Sequence, residues 1–112
     1  MPHVTLTLRP AQTLAQTGRH EHTKPPSLSF LQSEVGGYIE TVPHLTTLEV
    51  DGKRVRCVAY VNESGVLNNL PHNELATEAW VRTLGKGPFR YEPKLVGNVV
   101  FVINANQLRK AI

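Results

Sequence analysis

Five histidines, one cysteine and a scatter of carboxylates and arginines hold whatever chemistry this 112-residue chain can do. His20 and His22 flank Glu21, and a further nitrogen from His3, His44 or His72 would complete an imidazole and carboxylate set for zinc. Histidines in a polar stretch are more commonly solvated, so no metal is expected. A nucleophilic Cys57 needs a base beside it, yet its place on the apolar side of an alternating run suits a small buried hydrophobe. Glu34, Glu40 and Glu63 would do acid and base work only if the fold brought them together. Gly36-Gly37 follows a helical stretch instead of opening one, the wrong order for helix-start amides to hold a phosphate. No catalytic constellation results, and the expectation is a protein that is not an enzyme and carries no cofactor.

The cations admit a different chemistry. Arg54 and Arg56 share one face of an extended run, and Arg82 and Lys86 stand one helical turn apart. With Arg90, Lys94, Arg109, Lys110 and the rings of Tyr60, Phe89 and Tyr91, they would make a basic, aromatic surface for single-stranded nucleic acid. Lys and Arg number 12 against 9 Asp and Glu, an excess too small and dispersed to favour nucleic acid over a solvated face.

The elements that must position these groups follow from periodicity. His3 to Leu8 alternates as a half-buried strand, with Val4, Leu6 and Leu8 inward. Arg9 to Pro26, rich in Pro, Gln, Thr and His, reads as a long mobile loop. Ser29 and Gln32 have the spacing of a reciprocal helix cap, and Leu28, Leu31 and Val35 form a helical stripe ended by Gly36-Gly37. Tyr38 to Val42 and Thr46 to Val50 are extended, and Asp51-Gly52 predicts a tight hairpin whose second arm, Arg54 to Val61, turns Val55, Cys57, Ala59 and Val61 inward. Asn62 to Gly65 is a turn followed by an extended piece, Val66 to Leu70. Asn73 caps a helix to about Leu84 striped by Ala76, Trp80 and Leu84. Phe89 to Pro93 is a loop, and Leu95 to Ile103 is apolar enough for a central strand buried on both faces. A brief last helix opens with the pair Asn104 and Gln107.

Hydrophobic residues are 40% of the chain and charged residues 19%, the balance of one globular domain spanning 1–112. A single cysteine allows no internal disulfide, and the chain shows neither a membrane-length apolar run nor the zones of a secretion signal. A cytoplasmic setting with no membrane partner is expected. The fold class is α+β, a small mixed or antiparallel sheet with two to three helices in a single layer on one face.

Four segments carry a resemblance. Leu31-Gln32-x-x-Val35-Gly36-Gly37-Tyr38-Ile39-Glu40, then Val61-Asn62-Glu63-x-Gly65-x-Leu67, then Leu70-Pro71-x-Asn73-x-x-Ala76, and finally Val96-Gly97-Asn98-Val99-Val100 resemble a family of small uncharacterised proteins of phages, prophages and plasmids. Asp commonly follows the last glycine in that pattern, where this chain has Asn98. The resemblance implies a mobile-element accessory protein, and the reading it favours is a non-catalytic module, a homo-oligomer, that binds a host protein or small ligand and counteracts host defence. Turns and caps account for most of the shared residues. They account less well for Tyr38, Glu40 and Glu63, which with Asn62 and Asn73 are the expected ligand- or partner-binding positions. The alternative is a basic nucleic-acid-binding regulator using Arg54, Arg56, Arg82 and Lys86.

Overall fold

A computed structural model describes residues 2–13, 16–85 and 93–109. The elements run β1 (His3–Leu8), β2 (Gly18–His22), α1 (Leu28–Val35), β3 (Ile39–Thr41), β4 (Thr47–Val50), β5 (Lys53–Arg56), β6 (Val58–Asn62), α2 (Glu74–Leu84), β7 (Val99–Asn104) and α3 (Ala105–Arg109). The architecture is α+β: five antiparallel strands in the order β2-β1-β7-β6-β3, with β4 and β5 as a separate two-stranded sheet. β7 is the central strand, and its alternation sorts the core into two layers. Val99, Phe101 and Ile103 pack with Ala76, Leu75, Trp80 and the β4–β5 hairpin, while Val100 meets Leu31 and Val35 of α1.

The helices therefore lie on both faces, not in one layer as expected. The reason is the continuous apolar run of β7, which presents valines to both sides and needs cover on each. The same arrangement corrects β1, which is buried on both faces. Val4, Leu6 and Leu8 enter the α2-side core, and the opposite residues, Thr5 and Thr7, are equally inaccessible. Their hydroxyls are satisfied there, Thr5 with His22 Nε2 at 3.0 Å and Thr7 donating to Glu34 Oε1 at 2.7 Å, so burial leaves neither unpaired.

Several boundaries shift for local reasons. Part of the expected 9–26 loop is β2, which pairs His22 with His3 and Gly18 with Thr7; its polar residues fit an edge strand whose outer side faces solvent. Ser27, not Ser29, caps α1 by accepting from Phe30 N, and Gly36 leaves the helix at φ 78. The run after the hairpin divides at Cys57, with β5 staying in the small sheet and β6 joining the large one, while Val55, Cys57 and Ala59 keep the predicted inward face. Val66 to Leu70 is a sequence of turns, with Leu70 N donating to Gly65 O, instead of an extended piece. β7 begins only at Val99, because Gly97 takes φ 73 and the chain ahead of it is held by Pro71 and Asn73. At α3, Asn104 Oδ1 accepts from Asn106 N, but Gln107 faces away: its amide clasps both the N–H and the carbonyl of Arg56.

Candidate functional site

The four shared segments meet in space, and two of the expected binding residues prove to hold them together. Asn62, 9% exposed, donates to Val35 O at 3.2 Å and accepts from Ser64 N at 2.8 Å. Gly37 leaves room for it, since a methyl there would stand 2.8 Å from Asn62 Nδ2. Asn73, 1% exposed, caps α2 through Ala76 N and spends both amide protons on the carbonyls of Leu8 and Gly97. Gly97 N donates to Pro71 O and Asn98 donates to Glu34 O, closing the junction. With both polar atoms of the Asn73 side chain engaged and its surface gone, Asn73 holds the junction of α2, β1 and the Gly97 turn together.

Glu40 and Glu63 are different. Both are exposed, and both line one recess of about 170 Å³ with Val42, Val61, Trp80 and Lys94. Glu40 lies on β3, opposite Val61, on the face that carries Val42 into the α2-side core. Glu63 is fixed at the start of the turn by its N–H, which donates to Tyr38 O at 2.9 Å. Trp80 forms one wall of the recess and is anchored by Nε1 donating to Pro43 O at 2.7 Å. Tyr38, 72% exposed, stands beside this edge without lining the recess, and Val66 of its rim is 75% exposed. Thus the three residues that turns and caps explained least well lie at the surface, and two of them share a recess. Trp80 and Lys94 were missed as parts of it, because a helical stripe identifies Trp80 only as core and nothing local ties Lys94 to β3.

Among the described residues the basic positions border two different recesses. Arg54 and Arg82 line a cleft between the hairpin and α2, together with Glu49 and Glu78; Arg56 lies instead by Asn104, Asn106 and Gln107 at α3. Lys86, Phe89, Arg90, Tyr91 and Lys110 fall outside the described residues.

Cys57 is buried, its thiol directed at Leu45 O at 3.8 Å and its pKa pushed up to about 12 by loss of solvation. His20 and His22 pack edge-on against Phe30 at centroid distances of 5.3 and 4.7 Å. No group of three His, Cys, Asp or Glu among the described residues is placed to hold a metal ion, and no helix among them is long and apolar enough to cross a membrane. Comparison with protein-family models, curated proteins and solved structures finds no match in any of the three.

Proposed function

We propose that this protein is a non-catalytic binding module of a mobile genetic element, working in the cytoplasm as a homo-oligomer whose target is a host protein. The observation that carries the reading is the recess of Glu40 and Glu63 beside the open edge of β3. Tyr38 O accepts from Glu63 N, just past β6, and Val42 N donates to Ala59 O of β6, so antiparallel alternation directs the amide and carbonyl groups of Ile39 and Thr41 outward. An extended segment can add to that edge as a further strand, with main-chain bonds supplying affinity and the recess supplying selectivity. Two carboxylates against one lysine favour a segment bearing a Lys or Arg, and exposed Tyr38 and Val66 favour an apolar residue next to it. β2, at the opposite edge of the same sheet, offers a separate place for a second copy to pair. Occlusion of a host factor in this way suits an accessory protein that counteracts defence. A buried Cys57 with its thiolate disfavoured supports a role without nucleophilic catalysis.

The test is native mass spectrometry of protein purified from its host, comparing wild type with the Glu40→Lys, Glu63→Lys double variant. Wild type is expected as a multiple of 12.4 kDa that retains a host protein, and the variant as the same multiple without it. A bare monomer, or a complex indifferent to both charge reversals, would overturn the reading. The alternative, a nucleic-acid-binding regulator, draws on the meeting of Arg54 and Arg82 at one cleft, where Glu49 and Glu78 offset them. It requires binding to single-stranded DNA that weakens steeply with salt and is lost on changing Arg54 and Arg56 to Glu.

A further inference from the structure

The cleft between α2 and the β4–β5 hairpin has an apolar floor and a rim that carries both signs of charge. Its volume is about 300 Å³, the lower end of the range for small-molecule sites. The floor is Leu8 and Phe101, with Leu48, Leu75 and Ala79 on the walls. On the hairpin side, Glu49 and Arg54 are direct cross-strand partners; on the helix side, Glu78 and Arg82 are one turn apart. Neither pair is closed into an ion pair: among the described residues the only one within 4.0 Å joins Arg19 and Glu21, at 3.9 Å. Glu49, Arg54, Glu78 and Arg82, all exposed, thus border the cleft with their charges uncommitted to one another.

We infer that this cleft binds a free apolar amino acid, a site separate from the β3 edge and independent of the reading given for it. A fatty or aromatic anion would satisfy the arginines but meet Glu49 and Glu78, and a neutral apolar molecule would leave all four charges at its border unanswered. A ligand with a carboxylate and an ammonium on one carbon, and an apolar side chain beyond it, answers both signs. The carboxylate suits the planar fork of arginine, the ammonium the glutamates, and the side chain the floor of Leu8 and Phe101.

Calorimetric titration with L-phenylalanine and L-leucine tests this, set against their N-acetyl and carboxamide forms, which remove the cation and the anion in turn. Both free amino acids are expected to bind, and each blocked form to bind at least about tenfold more weakly, the loss of one charge-assisted contact. In the Arg54→Gln, Arg82→Gln variant the carboxamide should no longer be discriminated against, and in Glu49→Gln, Glu78→Gln the N-acetyl form should not. All four positions are at the surface or rim, so circular dichroism should show both variants folded. Absence of binding at millimolar amino acid would overturn the inference. So would equal binding of either blocked form to wild type, or discrimination that survives both double substitutions.

Discussion

Two asparagines show how much one side chain can decide here. Asn73 combines a helix cap with two bonds to carbonyls from β1 and the Gly97 turn, 65 and 24 residues away in sequence. Replacing it with Ala leaves both carbonyls and the Ala76 amide short of a partner in a buried place. Urea unfolding should show a loss of about 2–4 kcal/mol for Asn73→Ala, the sum of a missing cap and buried polar groups left unanswered. Cys57 sets a different dependence. An unfolded thiol titrates near 9.0 and the folded one near 12, so between those values the unfolded chain sheds a proton that the native chain retains. Stability contributed by the neutral thiol is full below about pH 9 and falls as pH rises toward 12. Urea midpoints measured from pH 8 upward should decline for wild type and decline less for Cys57→Ala.

Among the elements, the hairpin and the Gly97 turn make a useful contrast. Asp51 and Gly52 have φ 50 and 76, so both turn residues are left-handed as the Asp-Gly pair predicts. A methyl at Gly52 meets nothing within 4 Å, whereas one at Gly97, at φ 73, would lie 2.7 Å from Leu70 Cδ1. Gly52→Ala should therefore cost only the backbone term, about 1 kcal/mol. Gly97→Ala adds displacement of Leu70 to the same strain, and thermal melts should place its midpoint clearly below that of Gly52→Ala. A smaller element effect is Gln107, whose amide holds the Arg56 backbone as a neighbouring strand would and so ties α3 to the edge of β5.

For the whole molecule, position in the sheet separates side chains buried in the core from those left exposed at the β3 edge. Glu40 and Glu63 are exposed and have no ion pair within 4.0 Å among the described residues, so Glu40→Lys with Glu63→Lys should alter unfolding free energy by less than about 1 kcal/mol. Denaturation curves that nearly overlay would show that any loss of partner binding comes from the recess and not from misfolding. A large stability loss would mean instead that these carboxylates hold the β3 edge in place.

What the sequence determined by itself is what near neighbours decide: the alternation of Val4, Leu6 and Leu8, the Asp51-Gly52 turn, the Asn73 cap and the inward face of Val55, Cys57 and Ala59. Each rests on steric or hydrogen-bonding preferences within a few residues, which survive in any fold. The tertiary structure alone decided that Thr5 and Thr7 are buried, that the chain leaves one sheet for another at Cys57, and that α1 and α2 cover opposite faces. It likewise separated Asn73, consumed by carbonyls far away in sequence, from Glu40 and Glu63, which share a recess at the surface. Burial and pairing are properties of what arrives from elsewhere in the chain, and no local pattern records the arrival.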